Sequence, residues 1–202
     1  MQPVNIGGNY FDKYASRNPV VRYLTRGFLE SFDALCAQTG ARTVFEYGCG
    51  EGHLSLRLLA RGIVVRGADV DGPIVAEANM EAQKRGFGAP FFVEDVMQCP
   101  DEIRGELVVC CEVLEHLQDP EAALERIKKN TSEWVLLSVP REPIWRMLNM
   151  MRLSYLTDFG NTPGHVQHWS VKGFVRMVEK HFEIVAMRQP LPWTFLLCRK
   201  RA

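Results

Sequence analysis

A glycine-rich loop and a downstream carboxylate are the residues of this sequence best suited to hold a ligand. The loop follows a short apolar run, and its residues are Glu46-Tyr47-Gly48-Cys49-Gly50-Glu51-Gly52. Glycines at a strand-to-helix turn let the backbone approach a ligand where a Cβ atom would collide. Roughly 20 residues further on, Gly67-Ala68-Asp69 ends in a carboxylate at the position where an acidic side chain grips a ribose diol. Together these two features predict a nucleoside-binding site.

The spacing and charge of the loop favour a cationic nucleoside over a nicotinamide dinucleotide. A dinucleotide fingerprint needs a third glycine where His53 stands, so that helix and strand can pack around a pyrophosphate. Glu46 and Glu51 add negative charge, which disfavours a phosphate and favours a cation. The ligand should therefore resemble adenosine and carry positive charge, and a dehydrogenase is the weaker interpretation.

Alternating apolar segments supply the elements that must position these residues. Strands are predicted over 43–47, 64–69, 91–94, 107–111, 134–139, 182–187 and 193–198, and helices from Pro19 to Gly40, over 54–61 and 73–85, after Asp119 and after Ser170. The earlier strands are nearly continuous apolar runs, as expected for a sheet that helices cover on both faces. The last two strands are joined by a short proline-containing link, which favours an antiparallel edge hairpin. The pattern predicts a doubly wound α/β fold with seven mostly parallel strands.

Composition bounds the class of protein. The chain of 202 residues, with 47% hydrophobic and 24% charged residues, is typical of one globular domain over 1–202. Its 24 basic and 24 acidic residues balance, so no long-range field draws in nucleic acid or an anionic membrane. The six cysteines form no CxxC pair, and the N-terminus lacks a signal-peptide pattern. We expect reduced thiols and a cytoplasmic location.

Four segments, in order along the chain, resemble the successive motifs of class I S-adenosylmethionine-dependent methyltransferases. They are the loop from Glu46 to Gly52, Gly67-Ala68-Asp69, Glu94-Asp95 and Cys111-Glu112-Val113-Leu114-Glu115-His116. The similarity is closest to the small-molecule branch that includes the ubiquinone and menaquinone methylases, and it is clear over 43–139. It implies a Rossmann-like fold, S-adenosylmethionine as the cofactor and a small-molecule methyl acceptor.

The resemblance also implies which residues surround the cofactor. They are Glu46, Gly48, Gly50, Gly52, Asp69, Val70, Asp95, Val96, Cys111 and Glu112. Asp69 would accept both ribose hydroxyls and Asp95 the adenine amino group, while Glu46 stands where the family usually has aspartate. His116 would either contact the cofactor or have a structural role where the loop meets the helix.

The family further suggests that the N-terminal segment, residues 1–40, closes over the cofactor. Tyr10, Phe11 and Tyr14 would form this lid, and Arg22 would meet the cofactor carboxylate. The quinone methylases have a similar asparagine–proline–arginine cluster, from which Arg22 is offset. A plain surface helix is the alternative.

The segment 141–169 is the candidate for acceptor recognition. Its many methionines and aromatic residues would form a pliable apolar wall for a hydrophobic acceptor or a membrane surface, or would pack as the core of one helix. His165 and His168 are candidate general bases, because an imidazole can remove a hydroxyl proton near neutral pH. Both could equally be structural, and a zinc site with Cys99 is a further alternative.

The sequence therefore predicts methyl transfer to a small molecule, most readily to a hydroxyl oxygen. Nucleic-acid amino-methylases resemble one another in a proline-rich tetrapeptide after the fourth strand, where this chain has Cys111-Glu112-Val113-Leu114. Carbon methylation of a quinone-like or prenylated ring and a cofactor-binding scaffold without transfer activity are the alternatives.

Overall fold

Seven strands form one mixed sheet in the computed structural model, which describes residues 14–151 and 158–201. The strands are β1 Thr43–Tyr47, β2 Val64–Asp69, β3 Phe91–Val93, β4 Gly105–Cys111, β5 Thr131–Pro140, β6 Phe182–Arg188 and β7 Trp193–Lys200, in the order β3-β2-β1-β4-β5-β7-β6. The first five strands pair in parallel, and β7 runs antiparallel to both β5 and β6. This sheet confirms the predicted doubly wound, Rossmann-like class.

The C-terminal strands form the predicted antiparallel hairpin at one edge of the sheet, with β7 on its inner side. Strand β7 lies between β5 and β6, so β6 is the edge strand of the hairpin. The burial of the two strands gives the reason. The first six residues of β7 are all buried, whereas β6 has one buried residue, Phe182, followed by alternating exposed and half-buried positions. A continuous apolar run needs partners on both sides and both faces, while an alternating run tolerates the edge.

Helices cover both faces of the sheet. They are α1 Pro19–Thr39, α2 His53–Leu59, α3 Gly72–Lys84, α4 Pro120–Asn130, α5 Ile144–Met151 and α6 Val171–Val178, with a 3₁₀ turn at Leu114–His116. Helix α1 begins where predicted, since the Asn18 side chain accepts a hydrogen bond from the Val20 N–H, and it ends at Gly40 with φ 63°. Its buried Phe28 and Phe32 pack in one core cluster, while α4 and α6 contribute to the cluster on the opposite face.

The order of the strands creates a crevice for a ligand. Strands β1 and β4 are neighbours, and from them the chain proceeds outward in opposite directions across the sheet. In doubly wound folds, ligands bind outside the carboxyl ends of the strands at this switch point. The loop after β1, Asp69 at the end of β2 and Cys111 at the end of β4 therefore converge there.

The predicted recognition segment contains a helix and a loop. Trp145 on α5 packs against a core cluster and Asn149 is buried, whereas Met147 and Met150 are exposed. The loop that follows includes Gly160 and Gly164 with positive φ. Within the described residues, no helix is both long and apolar enough to cross a bilayer.

Candidate functional site

A cavity of about 580 Å³ opens at the carboxyl ends of the parallel strands. The residues expected from the sequence that line it are Tyr14, Glu46, Gly48, Gly50, Asp69, Val70, Asp95, Val96, Cys111 and Glu112. Of the other expected residues within the described part of the chain, Gly52, Arg22, His165 and His168 do not line it. Tyr10 and Phe11 lie outside the described residues. Most of the predicted cofactor site is thus brought together in one place.

The glycine loop lies close to the strands around it. The Cys49 N–H donates to the Ala68 carbonyl oxygen at 3.0 Å, which fixes the loop to β2. Gly48 has φ +67°, and a Cβ atom there would lie 2.1 Å from a methyl carbon of Val113. Gly52 has φ +79°, and its Cβ would lie 2.9 Å from the Phe91 ring. Gly52 therefore allows packing behind the cavity instead of lining it.

Asp69 is held ready to accept hydrogen bonds. Its Oδ2 accepts from the Gly50 N–H at 2.9 Å and its Oδ1 from the Asp71 N–H at 3.1 Å. A carboxylate has about four acceptor positions, so two backbone donors leave capacity for ligand hydroxyls. The geometry fits the expected contact with a ribose diol.

Asp95 has a comparable arrangement on the far side of the cavity. Its Oδ1 accepts from the Met97 N–H at 2.8 Å, and its Oδ2 accepts from the Gln98 side-chain amide at 3.3 Å. Val96 beside it is buried, and Val70 is 48% exposed. These positions fit the expected adenine end of the site.

Glu46 is a buried acid whose negative charge is disfavoured by its surroundings. Burial raises its pKa to about 8, and the nearby charge of Asp69 raises it too, although the Ser55 hydroxyl donates a hydrogen bond at 2.5 Å that lowers it. A cation beside Glu46 would favour its ionised form. The pair of Glu46 and Asp69 therefore suits a positively charged ligand.

Most of the ionisable side chains on the cavity wall are acidic, and one of them, Glu94, is paired with the Arg104 guanidinium behind the wall. Its acidic residues are Glu46, Glu51, Asp69, Glu94, Asp95, Glu112 and Asp119. Among the lining residues of the described ranges there is no lysine or arginine. Clefts lined by one sign of charge concentrate ligands of the opposite sign. The cavity is thus electrostatically matched to a sulfonium and mismatched to an anion.

Glu112 is held in an unusual backbone conformation at the end of β4. Its φ is +61°, which is uncommon for a residue other than glycine and is often found at functional sites. Its Oε2 accepts from the indole N–H of Trp193 at 2.5 Å, across the sheet from β7. Burial raises the pKa of the neighbouring Cys111 thiol, which therefore stays protonated and is no nucleophile.

Tyr14 packs against the first residue of α2, while Arg22 lies away from the cavity. The Tyr14 ring packs 4.0 Å from the His53 ring, measured between centroids. Burial raises the pKa of Tyr14, and the charges of Glu46 and Glu112 raise it further, so the phenol remains neutral. Arg22 is exposed on α1. Of the predicted lid residues in the described chain, Tyr14 is the one that reaches the cavity.

Three histidines lie between residues 111 and 169, and His116 is the one of them that lines the cavity. Its Nδ1 lies 3.1 Å from the Gly164 carbonyl oxygen, to which it must donate because a carbonyl only accepts. Burial lowers the pKa of His116, so the ring is neutral at physiological pH. In the neutral ring, Nδ1 then holds the proton and Nε2 holds the lone pair.

The two histidines predicted as bases lie behind or beside this residue. The buried His165 ring meets the His116 ring edge to face at 4.8 Å, and burial lowers its pKa to about 3. His168 is exposed and lies 2.7 Å from Oδ1 of Asn161. Neither reaches the cavity wall, so their catalytic role stays a prediction.

The predicted zinc set is not assembled, but another set of ligand types is close together. The Cys99 thiol donates instead to the Val96 carbonyl oxygen at 3.1 Å. Possible ligand atoms of Glu115, His116 and His165 lie within 4.8 Å of one another. His116 therefore has two close neighbours, Glu115 and His165, that the sequence analysis did not associate with it.

Several residues of the wall were missed by sequence reasoning. Phe28, Tyr47, His53, Met97, Leu117 and Gln118 line the cavity. Phe28 has the helical spacing of a core residue. The same spacing is expected for a residue that lines a cavity, so the pattern could not distinguish the two.

Comparison with known protein families identifies the family of this chain. The methyltransferase domain family matches residues 19–185. The chain belongs to this family. The match confirms the recognition made from the four motifs, and with it S-adenosylmethionine as the methyl donor.

Two named O-methyltransferases are similar to part of this chain. The chain is 30% identical over 112 residues to a ubiquinone biosynthesis O-methyltransferase of Pseudomonas paraeruginosa, covering 53% of this chain and 48% of that protein. The Coxiella burnetii protein of the same name is 22% identical over 152 residues, covering 67% and 64%. The chain thus spans about half to two thirds of these relatives.

Solved methyltransferase structures share the fold at low identity. Magnesium protoporphyrin IX methyltransferase from Synechocystis PCC 6803, crystallised with S-adenosylhomocysteine, has a TM-score of 0.69 and 21% identity, covering 92% of this chain and 89% of that one. The N-methyltransferase NodS of Bradyrhizobium japonicum has a TM-score of 0.68 and 16% identity, covering 89% and 97%. The methyltransferase fold therefore spans nearly the whole chain and leaves the acceptor open.

Proposed function

We propose that this methyltransferase transfers the methyl group of S-adenosylmethionine to the hydroxyl oxygen of a neutral, ring-containing small molecule, with His116 as the general base. The observation that supports it most is the neutral His116 ring on the wall of an acidic cavity, with Nδ1 bound to Gly164. Nε2 is then the nitrogen available to a hydroxyl proton.

The reaction balances with this base. The acceptor oxygen attacks the methyl carbon, and the C–S bond breaks with its electron pair going to sulfur. The acceptor O–H proton passes to Nε2 of His116, which becomes an imidazolium. The acidic wall would favour binding of the sulfonium and would stabilise the positive charge that develops on His116.

The charge of the wall also supports a neutral acceptor. A carboxylate or phosphate would enter beside Glu112 and Asp119 with no lysine or arginine among the described lining residues to pair with it. Like charges a few ångströms apart disfavour binding by several kcal/mol, on the order of 4 kcal/mol at 4 Å for an effective dielectric constant near 20. A phenol or other uncharged hydroxyl has no such penalty.

The relatives support oxygen as the methylated atom. The Pseudomonas and Coxiella proteins are named ubiquinone biosynthesis O-methyltransferases. Because this chain spans only part of their length, we take from them the class of atom and leave the acceptor open. We further propose that Tyr14 helps to close the cofactor site and that the segment 141–169 recognises the acceptor. The exposed side chains of Met147 and Phe159 in that segment support contact with a membrane as an additional part of this proposal.

A paired set of acceptors tests this proposal. Purified protein is incubated with S-adenosylmethionine and either catechol or its carboxylated analogue, 3,4-dihydroxybenzoate, and the products are identified by mass spectrometry and NMR. We expect an O-methyl product from the neutral member and much slower reaction of the anionic one. Preference for the carboxylated member, or a methyl group on carbon or nitrogen, would contradict the proposal.

Histidine variants identify the base. His116→Asn should abolish most turnover, by about 100-fold or more, while S-adenosylhomocysteine affinity in calorimetry stays close to wild type. His165→Asn and His168→Asn test the residues predicted from sequence. If His116→Asn is active and the His165 or His168 variant is inactive, the general base is that residue and not His116. Binding of S-adenosylhomocysteine without transfer to any acceptor in a wider panel would favour a scaffold.

A further inference from the structure

The loop after α5 reaches back to the general base through a backbone carbonyl. We propose that Gly164 is a positioning residue, whose carbonyl oxygen holds the proton on Nδ1 of His116 and so keeps Nε2 basic toward the acceptor. This inference rests on the proposed function and adds to it a role for the recognition segment. The two residues lie 48 positions apart in the chain.

The hydrogen bond defines the tautomer. The Gly164 oxygen has no proton to give, so the distance of 3.1 Å to Nδ1 requires a proton on Nδ1. Which nitrogen of a neutral imidazole is basic is set by the partner of the other nitrogen. A catalytic histidine oriented by a carbonyl or carboxylate follows this logic.

The loop is fixed at this point by further backbone hydrogen bonds. The N–H groups of Val166 and Gln167 both donate to the carbonyl oxygen of Glu115, at 2.9 and 3.0 Å. The His165 N–H donates to the Thr162 carbonyl oxygen at 3.1 Å. The loop is thus joined to the residue just before His116, and the Gly164 carbonyl is held in register with the imidazole.

Glycine is well suited to position 164. Its φ is +87°, and an added Cβ atom would lie 3.3 Å from Nδ1 of His116. That is closer than ordinary van der Waals contact, so the imidazole would have to shift away from the carbonyl. The smallest residue therefore permits both the turn and the close approach.

The groups around His116 set the direction of its pKa shift. His165 lies against it but has a pKa of about 3 and stays neutral. Asp69 raises the pKa of His116 from across the cavity, as does the hydrogen bond to Gly164, and burial lowers it more strongly. Glu115 has its carboxylate within 4.8 Å of both imidazoles.

Nitrogen NMR reads the tautomer directly, without an acceptor. The chain has five histidines, so long-range ¹⁵N–¹H spectra of the histidine-labelled protein with S-adenosylhomocysteine can be assigned with His→Asn variants. We expect His116 to be neutral with the proton on Nδ1. A proton on Nε2 would overturn the inference, whatever the reaction proves to be.

A substitution at Gly164 tests the consequence. Gly164→Ala should lower kcat by roughly 2- to 12-fold, the equivalent of losing one hydrogen bond, and should give a mixture of His116 tautomers. Because that hydrogen bond raises the pKa of His116, weakening it should also move the acidic limb of the kcat/KM profile to lower pH. Cofactor affinity should not change.

Gly88→Ala is the matched control. Gly88 has a similar φ of +74°, and a Cβ atom there has no neighbour within 4 Å, so the variant meets the same backbone strain without touching the site. It should keep the wild-type pH profile. If the pH profile of kcat/KM in Gly164→Ala is unshifted while His116→Asn is inactive, the role of Gly164 is overturned and His116 remains the base. Turnover that a chelator abolishes and Zn²⁺ restores would also overturn it, because His116 would then be a metal ligand.

Discussion

The buried Glu46 gives a prediction on the pH dependence of stability. Its pKa is raised to about 8 in the folded protein, mainly by burial, while an unfolded glutamate titrates near 4.3. Between these values the folded state holds a proton that the unfolded state has lost, so the free energy of unfolding falls as pH rises. One pH unit changes it by at most about 1.4 kcal/mol, and because titration is partial near either pKa, the step from about pH 5.5 to about pH 7.5 amounts to about 2.5 kcal/mol.

Glu46→Gln removes this titration while it keeps the shape of the side chain. The Ser55 hydroxyl can still donate to the amide oxygen, as it now does to the carboxylate at 2.5 Å. Urea denaturation without cofactor, at both pH values, should show that the stability of the variant relative to wild type increases by about 2.5 kcal/mol at the higher pH. Glu30→Gln, on the exposed side of α1, is the control and should follow wild type.

Parallel pH curves for wild type and Glu46→Gln would refute this reasoning, because they would show that Glu46 ionises normally in the folded protein. Ligand binding gives a second test. The sulfonium of S-adenosylmethionine favours the charged carboxylate and S-adenosylhomocysteine does not. The affinity ratio of the two should therefore rise with pH in wild type and stay flat in Glu46→Gln, as measured by calorimetry.

Two further variants test the geometry of the cavity. Asp69→Asn should weaken S-adenosylhomocysteine binding by roughly 10- to 100-fold, since the charged acceptor that now holds the Gly50 N–H at 2.9 Å is lost. Calorimetry measures this change, and equal affinity in Asp69→Asn and in the surface control Asp101→Asn would count against the ribose contact. Gly48→Ala should lower the thermal unfolding temperature, because its Cβ would lie 2.1 Å from Val113 and φ is +67°. Adding Val113→Ala should restore part of that loss, and no recovery would show that backbone strain alone is responsible.

The sequence by itself determined the elements and much of the wall of the cavity. Strands β1 and β2 begin and end where the apolar runs do, and α1 begins at the Asn18–Pro19 signal. These features are local, because hydrophobic period, caps and glycines act over a few residues. Parallel strands share one carboxyl edge, so Asp69 and Cys111 were certain to meet the glycine loop once the order of motifs was known.

Only the tertiary structure decided which side chains face the cavity and which support it. Gly52 belongs to the same loop as Gly50 but faces the Phe91 ring, because helix–strand packing orients it. Of the three histidines between residues 111 and 169, His116 reaches the wall, and His165 lies behind it. The contact between His116 and Gly164 joins segments 48 residues apart and depends on where the loop after α5 returns to the sheet. Local periodicity contains no information on such a return, since it is set by the packing of whole elements against one another.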